Sequence, residues 1–324
     1  MKTGLLLFML TSMSALGISQ AGIVPGPLVD TGWLKANQNK IVILDVRKDV
    51  KSFTGKPVFK KNRKTGKLTL AKVAGHIPGA RLINYKVLRS SKNINGQKIS
   101  KQLIDKKAFE KIMQSAGVSK GDAIVIVSKG WSVGDMTQAT RLYWSLKYYG
   151  QDDMAILNGG MSLWLKKGGQ VTNKPATTSK GNWLATAERK HILATSADIT
   201  KALKDKNTQL IDVRSVSQYL GTWKKSYVYA DGHIPGAKNL PDELLTGPAG
   251  KASFTPADKM KKIASALGIK TDINTITYCN SGHLASGGWF MLHEVLGNKN
   301  VKMYDGSMHQ WTREKGNTNK LIVE

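Results

Sequence analysis

The chain has 324 residues, and 49 Lys+Arg against 22 Asp+Glu give it a formal net charge of +27 at pH 7. That length suffices for two ordinary domains with substantial cores, and a single cysteine excludes an internal disulfide, so stability has to come from packing. The charge raises encounter rates with anions through the summed field, but the basic residues are scattered singly, without aromatic stacking motifs or a recognisable binding module, which argues against specific nucleic-acid recognition.

Met1, Lys2 and Thr3 precede an apolar run over 4–18, broken by Thr11, Ser12 and Ser14 and followed by Ser19, Gln20 and Ala21. A short basic start, an apolar middle and a small-x-small end predict a secretory signal over 1–21, cleaved after Ala21. The expected location is therefore outside the cytoplasm, in the bacterial periplasm. A membrane span wants about 20 apolar residues. This run is too short and too hydroxylated, no other stretch approaches it, and no span is expected.

The rest of the chain states one unit twice. The first copy, over 22–167, carries an apolar run ending in Asp45, Val46 and Arg47, the run Gly75 to Ala80 (Gly-His-Ile-Pro-Gly-Ala), an apolar strand pattern ending at Ser128, and Leu157 to Trp164. The second, over 191–324, carries Asp212, Val213 and Arg214, the same six residues at Gly232 to Ala237, a β-rich run into Cys279, and Tyr304 to Trp311. Short apolar strands alternate with helical patterns in each copy, at 108–116 and 134–149 in the first and at 256–267 and 284–296 in the second. That alternation predicts an α/β fold with a mainly parallel sheet flanked by helices in each half. The first copy also holds a basic, turn-rich insertion over 53–72, expected as a surface hairpin or loop. A Gly-, Thr-, Asn-, Lys- and Pro-rich stretch over 168–190 reads as the linker.

The chemistry points to one place. Thr275 to Tyr278 read as a strand that delivers Cys279 to a turn at Gly282, with a helix following at once. In such a loop, successive amides curl around the sulfur and the new helix presents its positive end, so thiolate is favoured over thiol and the sulfur is a nucleophile near neutral pH. A buried cysteine acting as a small apolar residue is the alternative. The loop residues Asn280, Ser281, Gly282, His283, Leu284 and Ala285 are candidates for holding a substrate or a sulfur bound to Cys279. Ser128 stands at the matching point of the first copy with no evident base, which leaves that half without a nucleophile. The six histidines fall in no ligand-spaced cluster, so neither a metal nor another cofactor is expected. His76 and His233, and Asp45–Arg47 and Asp212–Arg214, recur in both halves and read as framework.

These motifs, with Tyr278, Cys279, Asn280, Ser281, Gly282 and His283, resemble the tandem-domain sulfurtransferases of the rhodanese family, of the thiosulfate and 3-mercaptopyruvate types, over essentially the whole mature chain. The resemblance implies an inactive first domain and a second domain in which Cys279 takes a sulfur from a small anionic donor as a persulfide. Cyanide or a thiol, such as glutathione or a thioredoxin-like protein, would then accept it. Phosphatase and arsenate-reductase relatives of this fold need an arginine six residues after the cysteine, where this chain has Ala285. Neutral Asn280 and Ser281 lie nearer the mercaptopyruvate pattern, yet Gln218 stands where members of the family often place an arginine. Lys224, Lys225 and His283 are candidates for the missing positive charge, and His283 for proton transfer beside the sulfur. Two rival readings are a non-catalytic basic binding protein on the same fold and a redox sensor whose lone thiol forms mixed disulfides.

Overall fold

The computed structural model describes residues 22–205 and 207–317; the expected signal over 1–21 lies outside the described residues. In chain order the first half contains β1 (Leu28–Val29), α1 (Thr31–Asn37), β2 (Val42–Arg47), β3 (Val58–Lys61), β4 (Leu68–Lys72), β5 (Arg81–Asn84), β6 (Arg89–Ile94), β7 (Gln97–Leu103), α2 (Lys106–Ser115), β8 (Ile124–Val127), α3 (Val133–Tyr148), β9 (Met154–Leu157) and α4 (Gly160–Lys166). The second half contains β10 (Leu193–Ala194), α5 (Ser196–Asp205), β11 (Gln209–Asp212), α6 (Val216–Leu220), β12 (Lys238–Asn239), α7 (Ala257–Ala266), β13 (Thr275–Tyr278), α8 (His283–Trp289), β14 (Val301–Tyr304) and α9 (Ser307–Trp311).

Each half forms a five-stranded sheet, ordered β1-β9-β8-β2-β5 in the first and β10-β14-β13-β11-β12 in the second. Every pairing within these two sheets is parallel. Strands such as Ile124–Val127 are buried at every position, as a parallel sheet covered on both faces requires. α2 and α7 stop ahead of Gly117 (φ 73) and Gly268 (φ 64), whose left-handed backbone ends a helix without a Cβ penalty.

The repeated motifs do the same work twice. Arg47 grips both carboxylate oxygens of Asp45 at 2.7 Å and donates to the Gly75 carbonyl at 2.7 Å. Arg214 treats Asp212 and the Gly232 carbonyl in the same way. His76 is bonded through Nδ1 to the Phe53 carbonyl and stacks on that ring at 3.6 Å, while His233 does the same with Tyr219 at 3.9 Å. These are buried pairs that fix where each sheet meets its loops.

The insertion over 53–72 is the antiparallel hairpin β3–β4, exposed at nearly every residue. The stretch 168–190 holds no α-helix or strand but is bound along the first half: Thr172 pairs with His76, and the amides of Gly181 and Trp183 donate to Gln114 and Val118. Trp183 is buried against Phe109.

The two halves share an interior, one apolar cluster taking in Leu44, Leu142 and Trp144 from the first and Ile211, Trp289 and Phe290 from the second. α3 lies against α8, with Thr140 Oγ1 and Ser286 Oγ 2.8 Å apart. The β6–β7 hairpin (Arg89–Ile94 with Gln97–Leu103) reaches across to the second half. There Leu103 N donates to Asp305 Oδ2 at 2.7 Å, Ser100 N to His309 Nε2 at 3.2 Å, and Gln97 Nε2 to the Arg313 carbonyl at 2.6 Å.

Candidate active site

Cys279 leaves the C-terminal end of β13, a central strand of the second sheet, where open α/β sheets present their ligand sites. The loop after it is held from three sides. The carbonyls of Cys279 and Asn280 accept from the amides of Met308 and His309. The amides of Cys279 and Gly282 both donate to Ser307 Oγ at 3.1 Å. Asn280 Nδ2 donates to Gln218 Oε1 at 2.7 Å, so Gln218 secures the loop from the place where an arginine would hold an anion. Gly282 (φ 71) makes the turn into α8.

The sulfur itself accepts from the Ser281 amide at 3.4 Å. The sequence led us to expect several amides around it; two of them are instead turned to Ser307. The residue is 1% exposed, so the sulfur lies beneath its own loop. A surface cleft lined by Gln209, Leu210 and Lys270 opens at the other end of the second sheet.

Arg141 of α3 reaches over from the first half. It donates to the Gly282 carbonyl at 3.2 Å and to Asp305 Oδ1 at 2.5 Å. A negative sulfur at Cys279 attracts both Arg141 and Arg214. Tyr85, Arg89 and Lys101 also come from the first half. Arg89 lies over the Tyr85 ring at 4.6 Å, and the Tyr85 ring meets that of His283 at 5.0 Å. Lys101 Nζ stands 3.1 Å from the ring of Tyr227, whose hydroxyl bonds the Ser281 side chain.

His283 departs from expectation. Its Nε2 lies 3.0 Å from Thr137 Oγ1, and burial of the ring, together with the charges of Arg89 and Arg141, pushes its pKa down to about 3. Some surface of the residue remains accessible, but the packing and like charges around the ring set its state. It is neutral at physiological pH, supplies no positive charge, and cannot donate a proton from an imidazolium. Leu284 packs on the shared core and Ala285 is fully buried, its carbonyl accepting from Thr277. Lys224 is engaged by Asp231 at 3.1 Å, and Lys225 lies over Trp223 at 4.8 Å, with its charge felt at Lys101.

Ser128, the counterpart of Cys279, is fully buried with its hydroxyl on Met136 Sδ at 3.5 Å, where it has no base to activate it. Among the described residues no group of three or more His, Cys, Asp or Glu is gathered as a metal site, and no helix is long and apolar enough to cross a membrane.

The profile of the rhodanese-like domain matches residues 30–167 and again 195–314. The chain belongs to the rhodanese family. A Haloferax volcanii protein provisionally named a thiosulfate sulfurtransferase is 31% identical over 255 residues, covering 75% of this chain and 84% of its own. The sulfur carrier protein TtuD of Thermus thermophilus is 27% identical over 300 residues, covering 89% of this chain and 94% of its own. The 3-mercaptopyruvate sulfurtransferase SseA of Escherichia coli superposes with a TM-score of 0.66 at 23% identity, over 86% of this chain and 98% of that one, and shows a common fold. The names of the sequence relatives support sulfur transfer as the general activity of this rhodanese pair.

The sequence singled out Cys279 and its loop but not Arg141, Ser307, Tyr85 or Arg89. Ser307 sits in the second repeat of the motif running to Trp311, where the first repeat has Gly160, and that difference was the available signal. The other three lie in the first half with no motif around them.

Proposed function

We propose that this rhodanese protein is an exported sulfurtransferase that moves a sulfane sulfur from thiosulfate or 3-mercaptopyruvate to cyanide or a thiol through a persulfide on Cys279. The observation that carries this reading is the setting of the sulfur: it ends a central strand, accepts from an amide, and a negative charge on it is attracted by the guanidinium groups of Arg141 and Arg214. With thiosulfate, the Cys279 thiolate attacks the terminal sulfur, a new S–S bond forms, the old one breaks, and its electron pair leaves with sulfite. With 3-mercaptopyruvate, the broken bond is C–S, and the pyruvate enolate that departs takes a proton from water. Cyanide then attacks the outer sulfur, leaving as thiocyanate and restoring the thiolate. One transfer becomes two displacements, each past a lower barrier. The fixed positive groups offset the negative charge that both anionic partners bring to the sulfur.

A sulfur 1% exposed suits small donors better than mixed-disulfide exchange with a protein thiol, which weighs against a redox sensor. The test is mass spectrometry after incubation with each donor. One sulfur atom is expected on the peptide containing Cys279, discharged by cyanide with release of thiocyanate, and Cys279→Ser removes both signals. Thiocyanate production that survives in Cys279→Ser would sink the mechanism.

A further inference from the structure

Among the described residues, besides Nε1 of Trp144 and Trp311 and Oδ1 of Asn280, the side-chain atoms shielded from water with nothing to bond are all in the first half: the Tyr85 hydroxyl, Nε and Nη1 of Arg89, and Nε and Nη2 of Arg141. Unpaired donors of this kind are rare, because each forfeits its hydration and gains nothing in return. They are also gathered: Arg89 lies over the Tyr85 ring at 4.6 Å, that ring meets His283 at 5.0 Å, and Arg141 donates to the carbonyl of the adjoining Gly282 at 3.2 Å. The charges of Arg89, Arg141 and Cys279 all act on the Tyr85 hydroxyl, and those of Arg89 and Cys279 act on the Tyr227 hydroxyl as well. Positive charge is crowded enough that Lys101, losing hydration and facing Arg89, Lys225 and Lys48, is pushed down to about 8. Asp305, the acid present, is already shared between Arg141 and the Leu103 amide. In the second half, the position at which family members place an anion-holding arginine is Gln218, engaged with Asn280.

We propose that Arg89 and Tyr85 form the subsite for the oxyanion of the sulfur donor, so that donor recognition resides in the half of the molecule without a cysteine. This deepens the sulfur-transfer reading and rests on it for the identity of the donor. The ligand chemistry is a small anion with two or more acceptor oxygens, met by an unpaired guanidinium N–H of Arg89 and by the phenol hydroxyl of Tyr85. A guanidinium N–H of Arg89 makes a charge-assisted bond to such an oxyanion. Thiosulfate and a 2-oxo acid thiol both carry that head, and both place their transferable sulfur away from it. The donor then bridges the two domains, its head on the first and its sulfur toward Cys279 of the second.

The experiment compares Arg89→Gln, Arg89→Lys and Tyr85→Phe with the unaltered protein in two assays. In the first, KM and kcat are measured for thiosulfate and for 3-mercaptopyruvate with cyanide as acceptor. In the second, Cys279 is alkylated by iodoacetate and, separately, by neutral iodoacetamide. Arg89→Gln is expected to raise the donor KM about tenfold or more and to slow iodoacetate by a similar factor, the worth of a charge-assisted bond, while iodoacetamide changes less than about twofold. Arg89→Lys should recover part of both effects, and Tyr85→Phe should show a loss of about threefold. The donor that loses more identifies which head group the site fits. An unchanged ratio of iodoacetate to iodoacetamide rates in Arg89→Gln overturns the proposal. If Arg89→Gln fails to fold, Tyr85→Phe, which loses one oxygen, decides it by the same ratio. Should the unaltered protein take sulfur from neither donor, the sulfur-transfer reading falls, and the alkylation ratio still judges the anion site.

Discussion

A histidine beside a reactive sulfur invites the role of proton carrier, and the neighbours of His283 deny it that role. Enclosure and two guanidinium groups bring its pKa to about 3, against about 6.5 in an unfolded chain. Between those values the unfolded chain binds a proton that the folded one refuses. Stability therefore rises with pH through this window, by at most about 1.4 kcal/mol per unit from this group, and is flat above it. Urea unfolding at pH 7, 6 and 5 should show the unaltered protein losing stability below pH 6.5 more steeply than His283→Gln. Parallel slopes for the two proteins would show that the imidazole is not held neutral. At this scale Cys279 was legible because its type, its uniqueness and the turn at Gly282 all lie in one short stretch. Arg89 and Tyr85 were not legible, since a lone arginine 190 residues before the cysteine carries no local pattern. Only the topology brings them to the sulfur.

The loop and α9 show how one element differs between otherwise matched halves. In the first, the amides of Met161 and Ser162 cap the carbonyls of Ser128 and Lys129, as those of Met308 and His309 cap Cys279 and Asn280. The position ahead of them is left-handed in both: Gly160 at φ 53 and Ser307 at φ 49. Glycine takes this backbone freely, whereas a serine is strained by about 1–2 kcal/mol. The strain is held because Ser307 Oγ receives the amides of Cys279 and Gly282 and donates to the Tyr304 carbonyl. Ser307→Gly should thus relieve the backbone yet leave two buried amides unpaired at about 1–3 kcal/mol each. The expected result is a net loss of stability of about 1–4 kcal/mol by urea titration and a fall in sulfur loading of about tenfold or more, because the loop loses its tether. Full activity in Ser307→Gly would show that the tether does not position Cys279. The strands and helices themselves were readable from periodicity, and the helix expected over 284–296 does begin at His283. Its last turns, Phe290–Val295, widen to π geometry, which no apolar spacing announces.

For the whole molecule, the repeat made two domains evident from sequence, while their mutual dependence was hidden. Contacts between halves join residues far apart in sequence, such as Thr140 with Ser286 and Arg141 with Asp305, which no window of sequence compares. The stretch over 168–190 likewise looked like a free tether by composition, yet it is bound to the first half through backbone pairs and Trp183. Domains within a chain usually meet across modest polar surfaces and unfold separately. Here one apolar cluster runs through both sheets, and removing either half would expose Trp289 and Phe290 or Leu142 and Trp144 to water, at about 1.5–3 kcal/mol for each large side chain. Asp305 and Arg141 would also lose their buried partner, a break that costs about 3–5 kcal/mol. Together these terms rival the total stability of an ordinary domain, about 5–15 kcal/mol, so neither half retains enough to stand once the other is lost. Differential scanning calorimetry should accordingly give one transition, with a calorimetric enthalpy equal to the van't Hoff enthalpy. Arg141→Met should lower its midpoint without splitting it. Two resolved peaks, or an enthalpy ratio near about two, would mean that the halves fold independently, and the first domain could then not hold a rigid subsite opposite the sulfur of the second.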